Sequence, residues 1–157
     1  MWRIATDTPL YVADDLTGAG AKVTGGRWNE AGFPLLYTSE TRALASLETI
    51  VHLGAGTLPL NRYLVEISVP EKIWKRADRF DAASLPVGWD AEPAGRESIA
   101  FGTDWITAGS AALLILPSVI VPEERNILIN PAHPDAASIK AKKIRKWLYD
   151  ARLVKAS

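Results

Sequence analysis

The stretch GGRWN, residues 25–29, sets one arginine on backbone able to come close to a ligand, with Gly25 and Gly26 before Arg27 and Gly32 after it. A guanidinium fork on such a turn suits a phosphate or a carboxylate. The competing reading is an ordinary surface arginine in a turn. Trp28, Tyr37 and Trp105 offer flat faces on which a planar ligand could stack, although the usual place of such rings is the core.

A second group able to do chemistry lies in SETRALASLETIVHLG, residues 39–54. This segment reads as a helix with Ser39 as N-cap, Glu40 in the first turn and Gly54 closing the C-terminus. Leu44, Leu47 and Val51 fall at i, i+3 and i+7, the stripe expected to face the core, yet the i+4 position of that stripe is Glu48. Turning a carboxylate inward costs roughly several kcal/mol unless it is paired, so a partner or a chemical role is expected. The alternative is a glutamate on the rim of the stripe, capped by an Arg or a protonated His. His52, one turn on, lies on the same side and within reach of it. Ser118 ends an apolar run without the G-x-S-x-G elbow of an activated nucleophile; it reads as a hydrogen-bond donor to a ligand or as a simple strand-end serine. GAGAK, residues 18–22, lacks the spacing of a phosphate loop.

Around these residues the chain has to supply a frame. WRIAT (2–6), LLYTS (35–39), RYLVEISVP (62–70), ALLILPS (112–118) and NILINP (126–131) read as strands, with KIWKRAD (72–78) as a partner strand. GRESIAFGTDWITAG (95–109) reads as a helix weakened by Gly102, and the tail SIKAKKIRKWLYDARLV (138–154) as a strand. Helices and strands do not alternate regularly, so the expected class is α+β, one compact domain over residues 1–157.

Composition narrows the function. Eighteen basic residues balance eighteen acidic ones, which leaves no global field for a polyanion or an anionic membrane. Cysteine is absent and the two histidines, His52 and His133, lie far apart, so no disulfide, thiolate chemistry or transition-metal site is expected. MWRIATDTPL does not read as a signal peptide and no apolar run is long enough to span a bilayer, which together suggest a cytoplasmic protein.

Three long motifs, GGRWNEAGFPLLYTSETRALASLETIVHL, GTDWI and LPSVIVPEERNILINPAHPD, occur in an order that closely resembles the RES-domain family. Its members are the toxins of one class of bacterial toxin and antitoxin pairs. The likeness runs from about Trp2 to Pro134 and fades in the tail. It places the family's Arg at Arg27, its Tyr at Tyr37, its Glu at Glu48 and its Ser at Ser118, with His52 following the Glu as in several relatives.

The resemblance implies a fold like that of the diphtheria-type ADP-ribosyltransferases, no prosthetic group, and NAD⁺ as substrate. It implies that Glu48 stabilises an oxocarbenium-like ribose and that Arg27 pins the diphosphate. Tyr37 would stack on the nicotinamide or its ribose, Trp28 would line the NAD⁺ site, Ser118 would hydrogen-bond the ligand, and His52 would orient Glu48 or touch substrate. Transfer of ADP-ribose to a target protein is placed slightly ahead of NAD⁺ destruction by water or phosphate. The expected partner is an antitoxin with a helix-turn-helix DNA-binding domain, the toxin itself making no contact with nucleic acid or membrane. Two readings from other classes stand beside it. One is a ribonuclease using Glu48, His52 and Arg27 with the basic tail KAKKIRK; the other is a non-catalytic nucleotide-binding module.

Overall fold

Strand β5 (Leu113–Pro117) is buried along its whole length, and its alternate side chains feed two different cores. Leu113 and Ile115 join Ile127 and Ile129 of β6 (Arg125–Ile129) on one face, while Leu114, Leu116 and Leu128 pack on the other. A strand apolar on both sides has to be covered on both sides. That requirement makes β5 and β6 interior strands of a seven-stranded sheet in a computed structural model describing residues 1–53 and 58–153.

The other strands are β1 (Trp2–Ala5), β2 (Leu36–Ser39), β3 (Tyr63–Ser68), β4 (Asp78–Arg79) and β7 (Lys140–Lys146), in the sheet order β4-β5-β6-β2-β1-β3-β7. Neighbours run antiparallel except β4 and β5. Among the described residues four α-helices complete the frame: α1 (Ala19–Thr24), α2 (Arg42–Ile50), α3 (Glu71–Lys75) and α4 (Arg96–Ala108). Helices and strands are mixed without regular alternation, the α+β class that the sequence suggests. Among the described residues no helix is long and apolar enough to cross a membrane.

Pairing within the sheet is uneven, and this creates the site. β2 pairs with β6 over four residues and β1 with β3 over another four, but the described register between β1 and β2 is the one pair Trp2↔Ser39. Beyond that pair the two halves of the sheet part, and α2, which packs on both β1 and β2, lies across the opening.

Several local expectations are corrected. The cap of α2 is Thr41, whose side chain accepts from the Leu44 N–H, while Ser39 is the last residue of β2 and Glu40 accepts from the Arg125 N–H instead of lying in the first turn. Gly54 lies outside the described residues. Leu47 and Val51 are 38% and 54% exposed against 0% for Leu44, so they do not belong to the buried face. That face is Leu44, Ala45, Glu48 and Thr49; it carries small and polar groups because it overhangs a cavity more than a core. KIWKRAD is not a strand: Pro70 starts α3, which carries a Glu71–Lys75 pair one turn apart, and only Asp78 and Arg79 go on to pair with the sheet. In the tail the strand expected over 138–154 is cut to the edge strand β7 at 140–146: Ser138 ends a 3-10 turn (Pro134–Ser138), Ala151–Leu153 forms another, and residue 154 lies outside the described residues.

Gly102 does more than weaken a helix. A Cβ there would sit 2.0 Å from the Trp28 carbonyl oxygen, so the missing side chain is what lets α4 lie against the GGRWN turn. The Glu30 N–H donates to Thr103 at the same contact.

Candidate active site

Where β1 and β2 part lies a cavity of about 570 Å³, a size suited to a small-molecule ligand. Trp2, Arg3 and Ile4 line it from one half of the sheet and Tyr37, Thr38, Ser39, Asn126 and Leu128 from the other. The GGRWN turn forms a further wall, α2 contributes Glu48, Thr49 and His52, and Glu92 and Ala94 close one side.

Glu48 is held by a directed relay. The Ser118 hydroxyl donates to Glu48 Oε1 at 2.9 Å, and Asn126 Nδ2 donates to the same oxygen. The donors are themselves fixed: Ser118 Oγ accepts from the backbone N–H groups of Ile120 and Val121, and Asn126 Oδ1 accepts from Ser39 Oγ at 2.8 Å. Glu124 ties the β5–β6 connection to the start of α2, accepting from Thr41 Oγ1 at 2.6 Å through its side chain and from the Ser118 N–H through its carbonyl. Glu48 Oε1 is thus loaded with two donors, while Oε2 accepts from no protein group among the described residues. A half-buried carboxylate with one oxygen anchored and one available is preorganised to face a developing positive charge.

Ser118 therefore sits differently from the expectation of a ligand contact. It is 0% exposed, and its hydroxyl is spent on Glu48. Sequence reasoning missed Asn126 and Ser39. Their only signal is a polar residue in each of two strands, and nothing along the chain shows that those strands are neighbours.

Arg27 is also engaged. Its Nη1 donates to the carbonyls of Trp89 at 3.1 Å and Ala91 at 2.7 Å, and its Nη2 pairs with Glu92 at 2.9 Å. Trp28 is 3% exposed, with its ring stacked on Trp89 and edge-on to Phe101. A free stacking platform at Trp28 is thereby corrected: it touches the cavity wall, but its faces are taken by core rings. Trp105 is corrected likewise, being 7% exposed with its indole N–H on Asp78 at 2.9 Å. Together Arg27 and Trp28 grip the loop around Trp89, so GGRWN builds a cavity wall.

Tyr37 lines the cavity while its hydroxyl is committed, donating to Asn29 at 2.7 Å and accepting from the Trp28 N–H. Burial pushes its ionisation well above the ordinary tyrosine range. Gly26 is needed beneath it, since a Cβ there would approach the Tyr37 hydroxyl to 2.5 Å. His52 is exposed at the rim; Glu48 takes its described bonds from Ser118 and Asn126, not from His52.

The other residue that sequence reasoning missed is Arg3. It lines the cavity from β1, is half-buried, and donates one described hydrogen bond, to the Asp15 carbonyl at 3.2 Å. Among the described residues it has no carboxylate within ion-pair distance, and burial pulls its ionisation below the usual arginine value. A partly desolvated guanidinium with donors to spare, on the wall of a cavity, has the chemistry to receive an anion. Its sequence signal was an arginine inside the short apolar strand WRIA.

The RES domain family model matches residues 1–151. This chain belongs to the RES family. The RES chain here is 64% identical over 154 residues to a Sphingobium sp. protein named "Prs ADP-ribosylating toxin", covering 98% of this chain and 96% of that one. It is 35% identical over 147 residues to "Toxin Res" of Photorhabdus laumondii, covering 93% and 92%. Among solved structures, a chain of the M. tuberculosis MbcT–MbcA toxin–antitoxin complex matches 91% of this RES chain and 82% of its own length with a TM-score of 0.62. At 14% identity that likeness establishes a shared fold alone.

Proposed function

We propose that this RES chain is the toxin of a bacterial toxin–antitoxin pair that cleaves the bond between nicotinamide and ribose in NAD⁺ and transfers ADP-ribose to a target protein. The observation that carries this reading is a single cavity lined both by a carboxylate, Glu48, anchored at one oxygen and free of described bonds at the other, and by a guanidinium, Arg3, that forms no ion pair among the described residues. The two charges match the two halves of NAD⁺, a ribose that turns cationic and a diphosphate. The relative named for ADP-ribosylation supports the protein acceptor, and the Prs of that name is the first target to test.

In this reading NAD⁺ is consumed as substrate and no prosthetic group takes part. Arg3, with Arg27 beside the cavity wall, holds the diphosphate, so that binding energy from the remote part of the molecule orients the scissile bond. The bond from the ribose C1′ to the pyridinium nitrogen breaks, and its electron pair leaves with nicotinamide, neutralising the ring without a general acid. The oxocarbenium-like carbon is stabilised by the Glu48 carboxylate. A side chain of the target protein then attacks C1′, and its proton passes to the free oxygen of Glu48. Tyr37 shapes the nicotinamide end, His52 stands at the rim where the acceptor enters, and Ser118 and Asn126 hold Glu48 in place.

Under the same proposal the whole chain works as one RES domain in the cytoplasm, is neutralised by a cognate antitoxin with a helix-turn-helix domain, and leaves contact with DNA to that partner. The test is incubation of the chain, free of antitoxin, with NAD⁺ labelled in the adenylate, with and without Prs and bacterial lysate. Free nicotinamide and protein-bound label are followed separately. Label on a discrete band, with little nicotinamide released in the absence of protein, is the expected result. Rapid release without a labelled band would make the enzyme an NAD⁺ glycohydrolase or phosphorylase.

A further inference from the structure

The Arg27 guanidinium is held from two sides that differ in permanence. Its Nη1 is fixed by two backbone carbonyls, of Trp89 and Ala91, in a loop whose Trp89 is 8% exposed and stacked on Trp28. Its Nη2 is met by the Glu92 carboxylate at 2.9 Å, and the two side chains of that pair are 18% and 78% exposed. The arginine is therefore anchored whether or not Glu92 stays, while the glutamate can swing into solvent at little cost. Both residues line the cavity that holds Arg3 and Glu48.

We propose that Glu92 occupies on Arg27 the place a substrate phosphate takes, and so sets the affinity of the cavity for diphosphate-bearing ligands. The inference rests on the NAD⁺ reading above and adds a residue that reading does not use. A guanidinium fork binds a carboxylate or a phosphate in the same bidentate manner, and an exposed carboxylate is the partner more easily given up. On exchange, Glu92 gives up its ion pair and remains tethered beside an anion of its own sign. Both effects weaken binding of a diphosphate and neither acts on a neutral ligand without phosphate. Asp90, two residues away and exposed, carries the same charge without a described bond to Arg27.

The test is calorimetric titration of the antitoxin-free chain and its Glu92→Gln and Asp90→Asn variants with ADP-ribose and, separately, with adenosine, which has neither phosphate nor charge. Glu92→Gln is expected to bind ADP-ribose about three- to tenfold more tightly. Adenosine binding should be unchanged, the gain should shrink as salt is raised, and Asp90→Asn should match the parent. In turnover the gain is expected as a lower KM for NAD⁺.

Equal affinity in parent and Glu92→Gln overturns the exchange. Weaker affinity also overturns it and makes Glu92 a direct ligand contact. An equal gain in Asp90→Asn reduces the effect to the general field of the loop and overturns it too. A parent chain that neither binds ADP-ribose nor releases nicotinamide from NAD⁺ brings down the NAD⁺ reading and this inference together, whereas a parent that binds without a gain in the variant brings down the inference alone.

Discussion

Ser118→Ala separates two roles for one residue: contact with ligand, which the family resemblance implies, and positioning of Glu48, which the geometry supports. The substitution removes the donor to Glu48 Oε1 and the acceptor of the Ile120 and Val121 N–H groups at a 0% exposed position. A hydrogen bond to a charged group contributes about 1.5–3 kcal/mol, and the two freed N–H groups, only half-buried, add to the loss, for a total of about 2–4 kcal/mol. For a chain of this length that lowers Tm by roughly 5–15 °C. Asn126 still holds the carboxylate, so Glu48 is loosened and not released. A misplacement approaching 1 Å at a reacting group costs up to about a hundredfold in rate. The expected outcome, by nicotinamide release with the protein kept well below its Tm, is kcat lower by about 10- to 100-fold with KM within about twofold. Ser118→Thr, which keeps the hydroxyl, should recover much of kcat in spite of the strain of an added methyl. If KM rises instead while kcat holds, Ser118 touches substrate and the positioning argument is wrong. A lower Tm with both constants intact would make the relay purely structural.

Four further outcomes follow from the same geometry. Glu48→Gln should cut nicotinamide release by roughly a thousandfold while ADP-ribose affinity moves only a few-fold, because the charge acts on the transition state; near-normal turnover would remove Glu48 from the chemistry. Arg3→Gln should raise KM for NAD⁺ by about 10- to 100-fold, the worth of charge-assisted bonds to phosphate, and an unchanged KM would show that Arg3 holds no anion. Gly102→Ala should destabilise the fold by about 3 kcal/mol or more in denaturant unfolding, since its Cβ has no room against the Trp28 carbonyl. Asp7 is held below the usual carboxylate range by the Lys143 ammonium and the Ala13 N–H, so its stabilising effect is present above the unfolded carboxylate value near about pH 4 and lost as pH falls through the lowered one. The Tm difference between parent and Asp7→Asn should accordingly narrow from about pH 6 to about pH 3; a constant gap would contradict the linkage.

The chain displayed its strands well because β5 and β6 are apolar on both faces and the Trp2–Ala5 run is too short to be anything else. It displayed Glu48 for an imperfect reason. The helix does turn that carboxylate toward the interior, but the stripe that made it look misplaced is half solvent-exposed, and the real buried face is small and polar. Periodicity counts apolar residues and assumes a core beneath them; over a cavity the same count points about one helical step away. Asn126 and Arg3 stayed out of sight because their meaning comes from sheet order. Asn126 matters because β6 lies beside β2, and Arg3 because β1 leaves β2 after a single pair.

The same sheet order changes what GGRWN does. An arginine on a glycine turn invites the idea of a guanidinium presented directly to a ligand, yet two of its bonds go to main-chain carbonyls 62 and 64 residues away, and the next residue stacks on the same loop. Were Arg27 only an anion receptor, those carbonyl bonds would divert it from its task. Were it only a structural staple, the Glu92 pair would add little, because an exposed partner contributes little to stability. Both contacts make sense together if the backbone bonds fix the guanidinium at the cavity wall and the carboxylate covers its open side until an anion arrives. On that proposal the motif has one consistent purpose, which is to present a positive charge that is rigid on one side and exchangeable on the other, in the same cavity as a carboxylate anchored at one of its two oxygens.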